Sequence, residues 1–240
     1  RKSFVPSDSN HILMSADYSQ VELRLIAELS NENHMIKSFL NNEDIHVSTA
    51  SKVFKVKVSD VTPEMRSSAK TVNFGIIYGV SAFGLSEQST LNRSEASELI
   101  KTYFKTYPNL KKFIDNQIDF AKKNGYVETI FGRRRYLRNI NSRNSFMRAH
   151  DERNAVNMPI QGSAADIIKL AMIQIQNKMD KNKLISKIVL QVHDELVFDV
   201  YHTEKIIMEK LVKEIMENVY ETIVPLKVDI GFGANWLEAH

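Results

Sequence analysis

The chain has 240 residues, 43% of them hydrophobic and 25% charged, which is typical of a globular protein with one large or two modest domains. A net charge of +3 permits a nucleic-acid partner without requiring one, and the absence of cysteine excludes disulfides and thiolate metal sites. Oxygen-ligated hard cations are therefore the natural metals. No apolar run is long enough to span a membrane, so we expect an intracellular, soluble protein without a membrane partner. Because the sequence opens on Arg1-Lys2, we expect a piece of a longer chain.

The first half of the chain reads as one strand followed by helices. Residues 11–16 form a predicted core strand, and from Ser19 the apolar spacing becomes that of a helix packed on a sheet, which residues 30–33 break. Thr62 and Pro63 are a strong helix start, and Gly79 is a typical helix end. Helical patterns predict three further helices, over residues 63–78, 94–106 and 108–124.

The second half returns to strands at its end. A small hairpin is predicted from residues 125–130 and 135–137, and a long helix over residues 146–181, which Pro159 should kink or split. An amphipathic helix is predicted over residues 203–223, whose apolar face comprises Ile206, Ile207, Leu211, Ile215, Met216 and Val219. A last strand at 228–230 should precede a turn of Gly231-Phe232-Gly233. Strands at both ends and helices between them indicate one sheet-based domain with a helical insertion.

Residues 187–200 read as two half-buried strands, because their apolar residues alternate on either side of His193-Asp194-Glu195. Taken alone, those three residues are more typical of an ordinary acidic turn. Asp17, however, comes directly after the first predicted strand. Two strand ends that each supply a carboxylate predict a shared site for divalent metal ions.

The predicted helix over 63–78 carries a stripe of residues four apart, Arg66, Lys70, Phe74 and Tyr78. Its cationic half suits a triphosphate and its aromatic half suits a base or sugar. Gly75 costs about 1 kcal/mol relative to Ala, which the close approach of a ligand or of neighbouring backbone would justify. The alternative is a solvated cation pair followed by a buried aromatic pair.

Three motifs, in the same order as here, resemble family A DNA polymerases, the bacterial DNA polymerase I family. Residues 17–24 resemble motif A, with Val21 in place of the commoner Ile, the 66–78 stripe with Gly75 resembles motif B, and residues 192–195 resemble motif C. Residues 44–46 and 152–162 are also similar to family segments. The resemblance covers essentially the whole chain.

The resemblance implies the roles of the site residues. Asp17, Asp194 and the carbonyl of Tyr18 are expected to bind two Mg²⁺ ions, with Mn²⁺ as a possible substitute, and Glu195 is auxiliary. Lys70 is expected to act also as general acid on the pyrophosphate leaving group. The nucleotide site is expected to comprise Gln20, Glu22, His46, Arg66, Lys70, Phe74 and Tyr78. Within this set, the implied role of Glu22 is to block a ribose 2′-hydroxyl, and Phe74 implies discrimination against dideoxynucleotides.

The same resemblance implies a primer-template surface. Arg153, Asn157 and Gln161 recur on one helical face, and the family places such residues in the minor groove, where acceptors occur on every base pair. His193 belongs to the same group by its position in motif C. Residues 133–135 are three arginines after a turn. They could contact template phosphates, or they could form an ordinary solvated basic turn, and the sequence leaves both interpretations open.

The implied fold is α+β, a right-hand polymerase palm, mainly an antiparallel sheet backed by helices, with a helical fingers insertion. The palm is expected over residues 1–30 and 151–240, and the fingers over 31–150. The expected function is template-directed addition of deoxynucleotides to a primer 3′-hydroxyl in DNA replication and repair. The expected partners are primer-template DNA and dNTPs, without oligomerisation, in a bacterial cytoplasm at the nucleoid. We expect the thumb of such an enzyme to lie outside this fragment.

Three alternatives remain at this point. A single-subunit RNA polymerase shares the architecture, but those enzymes lack the Glu at position 22 and the Phe at position 74. A non-catalytic DNA-binding fragment is disfavoured because the carboxylates and the triphosphate cations are all present. A metal-dependent phosphohydrolase would use Asp17 and Asp194 but would have no use for the 66–78 stripe.

Overall fold

The computed structural model describes residues 1–87 and 91–240. They form two compact units, one comprising Arg1–Val21 with Ala164–His240 and the other comprising Glu22–Ser163. The strands of the described residues are β1 His11–Tyr18, β2 Tyr126–Glu128, β3 Arg134–Tyr136, β4 Lys187–Val192, β5 Glu195–Tyr201 and β6 Val228–Gly233. The α-helices are α1 Val21–Ser30, α2 Asn33–Leu40, α3 Ile45–Phe54, α4 Pro63–Ile77, α5 Ala82–Glu87, α6 Arg93–Thr106, α7 Pro108–Asn124, α8 Ser145–Lys181, α9 Lys205–Asn218 and α10 Trp236–Ala239.

The first unit is built on a four-stranded antiparallel sheet with the order β4-β5-β1-β6. Burial alternates along β4, as predicted, but the first six residues of β5 are all buried. Because successive side chains point to opposite faces, continuous burial means that both faces of β5 are covered. The prediction of a half-buried strand was therefore right for β4 and wrong for β5.

The turn between β4 and β5 is shorter than predicted. Only His193 and Asp194 lie in it, and His193 has a φ of 55°, in the left-handed region. Glu195 is the first residue of β5 and pairs with Val192 on one side and Asp17 on the other. The placement of Glu195 in the turn was therefore wrong, because two-residue turns suffice to connect antiparallel strands.

The predicted glycine turn near the C-terminus is part of strand β6. Gly231 and Gly233 pair with β1, and α10 packs directly over them. A Cβ on Gly231 would lie 2.2 Å from the carbonyl oxygen of Ala239, and one on Gly233 would lie 2.5 Å from the Ala239 nitrogen. The glycines are thus explained by close backbone packing rather than by a turn.

Helix α9 is shorter than predicted, and its predicted apolar face is right at Leu211 and Met216 but wrong at Ile206 and Ile207. Its buried residues are Met208, Leu211, Val212 and Met216. Ile206 is 82% exposed and Ile207 44% exposed. At about 100° per residue, Ile206 lies on the opposite side of the helix from Met208, so its assignment to the apolar face was wrong.

The second unit is mainly helical. Helices α4, α6 and α7 agree with the predicted ranges, and β2 and β3 form the predicted hairpin, while α5 was not predicted. Helix α8 continues through Pro159, so the predicted split does not occur. The carbonyl of Pro159 accepts a hydrogen bond from the Ser163 hydroxyl. The mixture of helices and an antiparallel sheet confirms the α+β class, and no helix of the described residues is long and apolar enough to cross a membrane.

Candidate active site

Asp17 and Asp194 lie at the same end of the four-stranded sheet. Asp17 is near the end of β1, and Asp194 is in the β4–β5 turn. The Tyr18 backbone N–H donates to the Asp194 carbonyl over 3.2 Å, which ties the two strand ends together. The Tyr18 hydroxyl donates to the Met216 carbonyl over 2.8 Å. Because its ring is anchored in the core, Tyr18 offers only its backbone to this site.

A row of carboxylates crosses the sheet at Asp17. Glu195 on β5 and Asp229 on β6 are both directly opposite Asp17, so the three side chains share one face. Burial, the neighbouring Asp194 and then Glu195 raise the pKa of Asp17 to about 6. Asp229 was missed by sequence reasoning, because only the β1–β6 register brings it to this row.

Glu195 is buried and fully engaged with the protein. One oxygen, Oε1, accepts hydrogen bonds from the Ser15 hydroxyl and from Trp236 Nε1, each over 2.6 Å. The other oxygen lies 3.8 Å from the Arg1 guanidinium, and His240 Nδ1 is 3.4 Å from Oε1. These contacts hold the carboxylate of Glu195 toward the C-terminal helix α10.

The donor set suits a hard divalent cation. Burial, and then the repulsion from Asp194, raise the Asp17 pKa, and a bound cation would relieve that repulsion. Within residues 1–87 and 91–240, no group of three or more His, Asp or Glu side chains is arranged to hold a metal ion. A site here therefore depends on the Asp17–Asp194 pair, completed by backbone oxygen, water or substrate.

Arg66, the first residue of the stripe on α4, is held by Asp44. Its Nε and one terminal nitrogen lie 2.9 and 2.8 Å from Asp44 Oδ2. The other Asp44 oxygen caps α3 by accepting from the backbone N–H groups of His46 and Val47. Burial alone would raise the Asp44 pKa, but the hydrogen bonds from Arg66 and from these amides lower it overall. Asp44 therefore stays ionised and orients Arg66.

Lys70, Phe74 and Tyr78 line one cavity of about 640 Å³. Gly79 and Arg153 contribute to the same wall, and a Cβ on Gly79 would lie 2.8 Å from Arg153 Cγ. Gly75 lines this cavity too, so the approach of a ligand stays a prediction, whereas the near neighbour in the structure is a side chain rather than backbone. A Cβ there would lie 2.7 Å from Cγ1 of Val80, a side chain.

Glu22 and Tyr78 are joined by a hydrogen bond that the sequence does not reveal. The Tyr78 hydroxyl donates to Glu22 Oε2 over 2.6 Å, across 56 residues of chain. The two residues come from motifs A and B, so the contact joins the start of α1 to the end of α4. Gln20 lies just before α1 with a φ of 56°, in the left-handed region.

His46 is buried and uncharged. It is 3% exposed, and burial is the largest cause that lowers its pKa to about 4. Its Nδ1 lies 3.0 Å from Asn73 Nδ2, and its ring is 5.8 Å from that of Phe74. Any contact of His46 with a phosphate at neutral pH is therefore a neutral hydrogen bond rather than an ion pair.

The candidate primer-template residues on α8 differ in exposure. Arg153 and Gln161 are exposed, and Asn157 is half-buried with its Oδ1 atom buried and without a hydrogen-bond partner in the described chain. His193 is exposed in the β4–β5 turn. Of the three arginines at 133–135, Arg133 donates to the Gly162 carbonyl over 3.0 Å and Arg134 pairs with Glu128 over 2.6 Å.

Comparison with known proteins decides the family. The family model for DNA polymerase family A matches residues 1–238. The chain belongs to DNA polymerase family A. This confirms the resemblance stated from motifs A, B and C.

Curated relatives within family A are named DNA polymerase I. The chain is 51% identical over 238 residues to the protein of Caldicellulosiruptor bescii, covering 99% of the chain and 28% of the relative. It is 48% identical over 240 residues to that of Streptococcus pneumoniae serotype 4, covering 100% of the chain and 27% of the relative. The chain thus spans little more than a quarter of the length of these relatives.

A solved structure supports the same fold. The chain matches the POL domain of Pol1 from M. smegmatis, in complex with DNA primer-template and dNTP, with a TM-score of 0.95 and 43% identity. The match covers 100% of this chain and 42% of that chain. Family A membership and the α+β class are therefore shown, whereas the roles of single residues and the palm and fingers boundaries stay predictions.

Proposed function

We propose that this chain is the catalytic part of a DNA-directed DNA polymerase that adds deoxynucleotides to a primer 3′-hydroxyl in replication and repair. The observation that carries the proposal is the pairing of Asp17 with Asp194 at one end of the sheet in a family A chain. The substrates would be primer-template DNA and dNTPs, as in the complex of the solved relative. A cytoplasmic, nucleoid-associated location stays a prediction.

Asp17, Asp194 and the Tyr18 carbonyl would hold two Mg²⁺ ions, or Mn²⁺ in their place. When bound, such ions supply Lewis-acid stabilisation of the attacking and leaving oxygens at the α-phosphate. The raised Asp17 pKa supports this assignment, because perturbed carboxylates are typical of such sites. Glu195 has an auxiliary role, because Ser15 and Trp236 already occupy one of its oxygens.

The incoming nucleotide would be held by α4 and its neighbours. Arg66, oriented by Asp44, and Lys70 would bind the triphosphate, and Lys70 would protonate the pyrophosphate leaving group. Phe74 would stack on the nucleotide, and Gln20 would also bind it. Glu22 would exclude the ribose 2′-hydroxyl, and its bond to Tyr78 supports that role because it limits the rotamers of the carboxylate.

The nascent duplex would contact α8 and the β4–β5 turn. Arg153 and Gln161 are exposed donors on one face, and Asn157 and His193 complete the proposed set. We name residues 1–30 and 151–240 the palm and residues 31–150 the fingers. The sheet of the first compact unit and the helices of the second support these names, although the two units divide the chain at residues 21 and 163.

The test is primer extension by full-length protein carrying Asp194→Ala. Loss of this carboxylate is expected to abolish extension while affinity for primer-template DNA survives, because the change removes a metal ligand and no DNA contact. Asp180→Ala is the matched control, since Asp180 is an exposed aspartate of α8 outside the site, and it should extend normally. Undiminished extension by Asp194→Ala would refute the metal assignment.

A further inference from the structure

A hydrogen-bonded network of buried polar side chains includes the candidate nucleotide residue His46. Asn73 Nδ2 lies 3.0 Å from His46 Nδ1, and Asn73 Oδ1 lies 3.2 Å from Thr49 Oγ1. Thr49 Oγ1 lies in turn 2.9 Å from the Tyr107 hydroxyl. All four residues are buried, and they come from α3, α4 and the junction of α6 and α7. Sequence reasoning found only His46 among them.

The state of His46 depends on Asn73. A neutral imidazole carries one N–H donor and one bare nitrogen acceptor, and either nitrogen can hold the proton. The amide nitrogen of Asn73 only donates, so the His46 Nδ1 that faces it must accept. The ring proton then resides on Nε2.

The rest of the network contacts the Asn73 amide. Burial raises the pKa of Tyr107 to about 12, so its phenol keeps its proton, and either hydroxyl can be the donor in the bond between Tyr107 and Thr49. Thr49 Oγ1 lies 3.2 Å from Asn73 Oδ1, to which it can donate, and 3.2 Å from Asn73 Nδ2, from which it can accept, and the same Nδ2 faces His46. When Tyr107 donates to Thr49 and Thr49 donates to Asn73 Oδ1, the successive hydrogen bonds run in one direction and strengthen one another.

We propose that Tyr107, Thr49 and Asn73 are positioning residues that hold His46 as its Nε2–H tautomer, so that the ring offers the nucleotide triphosphate a neutral donor. The triphosphate rests on the proposed function, whereas the tautomer does not. Asp44, Arg66 and Lys70 are the charged groups whose fields act on the ring, Asp44 favouring and the two cations opposing its protonation. A neutral donor adds a hydrogen bond to phosphate without a third cation beside Arg66 and Lys70.

The opposite tautomer has an opposite chemical consequence. If the Asn73 amide were rotated by half a turn, its oxygen would face His46 and the proton would move to Nδ1. Nε2 would then be a bare acceptor, which repels phosphate oxygens. The two arrangements therefore differ in one measurable property, the nitrogen that carries the proton.

The first test is nitrogen NMR of full-length protein labelled with ¹⁵N-histidine, without nucleotide. The His46 signals are assigned by their absence from His46→Gln. We expect a pyrrole-like Nε2 and a pyridine-like Nδ1 at neutral pH. The reverse pattern, or a mixture of both tautomers, overturns the proposal, and this result requires no variant of the network to fold.

The second test converts the donor that faces His46 into an acceptor. A carboxylate in Asn73→Asp accepts from Nδ1–H, so the NMR pattern should invert. Loss of a hydrogen bond to a charged phosphate predicts that the KM for dNTP rises roughly tenfold or more, with a smaller change in kcat. An unchanged tautomer or an unchanged KM in this variant overturns the proposal.

Tyr107→Phe and Tyr103→Phe form a matched pair for the far end of the network. The two rings lie 4.8 Å apart, both phenols are buried, and only the Tyr107 hydroxyl bonds to Thr49. We expect Tyr107→Phe to raise the KM for dNTP a few-fold and to admit some Nδ1–H tautomer, and Tyr103→Phe to do neither. Equal effects of both variants would remove Tyr107 from the network.

The outcomes separate this inference from the proposed function. An Nε2–H ring in a protein that extends no primer would refute the polymerase and leave the tautomer assignment intact. An Nδ1–H ring in a protein that extends primers normally would refute the tautomer assignment and leave the polymerase function intact.

Discussion

At the scale of single residues, the buried His46 shows how the fold changes the chemistry of a side chain. The family resemblance implies only that His46 adds a phosphate contact to those of two candidate cations, Arg66 and Lys70. In the structure burial is the largest cause of its lowered pKa, and a phosphate contact becomes a neutral hydrogen bond. The change in role follows from packing that no local pattern encodes.

The same burial predicts a pH dependence of stability. The pKa of His46 is about 4 when folded and near 6.5 when unfolded, so the unfolded chain binds more protons between these values. Stability should therefore fall as the pH drops from 6.5 to 4, by about 1–3 kcal/mol from this residue. Denaturant unfolding across that range should show that the free energy of unfolding falls less on acidification in His46→Gln than in the unsubstituted protein.

His34→Gln is the control for this pH dependence. His34 is an exposed histidine of the neighbouring helix α2, and the acid loss should persist when it is replaced. If stability fell equally on acidification in the His46 and His34 variants, burial of His46 would not be the cause of the pH dependence.

The bond between Tyr78 and Glu22 predicts an effect on sugar selectivity. In Tyr78→Phe the carboxylate loses the donor at 2.6 Å, so it is held less firmly, whereas Glu22→Ala removes it. We expect both variants to incorporate more ribonucleotide in single-nucleotide extension assays, with the larger increase in Glu22→Ala. Tyr136→Phe, on an exposed tyrosine of β3, should leave selectivity unchanged. Unchanged selectivity in Glu22→Ala would remove its role as a gate.

Sequence reasoning predicted candidate site residues that lie on regular spacings and missed their partners in the structure. Asp17, Asp194 and the α4 stripe follow from strand ends and a four-residue repeat. Asp229 and Asn73 act through partners far away in sequence, and only the strand register and helix packing bring them together. Long-range pairing of this kind leaves no periodic signal in one sequence.

At the scale of elements, boundaries set by local sequence signals were predicted correctly, and a boundary set by long-range packing was not. Helices α6 and α7 start and end at strong local signals, an Asn92–Glu95 capping box and the left-handed Gly125, and both were predicted within one residue. Strand β6 was cut short because Gly231 and Gly233 read as a turn. Their reason lies in α10, which packs on them from beyond the strand.

This packing predicts that a single methyl group added at Gly231 lowers the free energy of unfolding. Gly231→Ala places its Cβ 2.2 Å from a backbone oxygen, so strand β6 or helix α10 must shift, and overpacking of this kind costs about 1–3 kcal/mol. Gly132→Ala meets no atom within 4 Å and pays only for its left-handed φ of 78°, about 1–2 kcal/mol.

Denaturant unfolding measures both glycine variants. Gly231→Ala should in addition weaken the contact of Trp236 with Glu195, whereas Gly132→Ala should not. A Gly231→Ala protein as stable as the unsubstituted one would show that α10 does not pack on the sheet as described.

At the scale of the whole molecule, positive charge is concentrated in one stretch of sequence. Residues 129–150 include six arginines and no Asp or Glu, twice the net charge of the entire chain. Arg135, Arg138 and Arg143 are exposed there, while Arg133 and Arg134 bind protein groups. A net charge of +3 therefore conceals a strongly basic surface.

The basic stretch predicts a salt-dependent affinity for DNA. The slope of log affinity against log salt should be about −0.9 for each duplex phosphate that is neutralised. Replacing Arg135, Arg138 and Arg143 by Gln should make the slope shallower by that amount for each phosphate that these arginines neutralise. A matched removal of charge at Lys187, Lys210 and Lys213, exposed lysines of the first unit, should leave it nearly unchanged. Equal slopes in both triple variants would assign the effect to net charge alone.

The chain contains one tryptophan, and it lies at the most informative place for an optical measurement. Trp236 donates to Glu195, lies under the Arg1 guanidinium at 4.8 Å and meets the Phe4 ring edge-on at 5.5 Å. In this 240-residue chain, selective excitation of the indole therefore reports on one carboxylate of the Asp17 row. Release of the C-terminal helix would expose the ring to water and shift its emission to longer wavelength, so that the protein carries its own fluorescent reporter beside the proposed metal site.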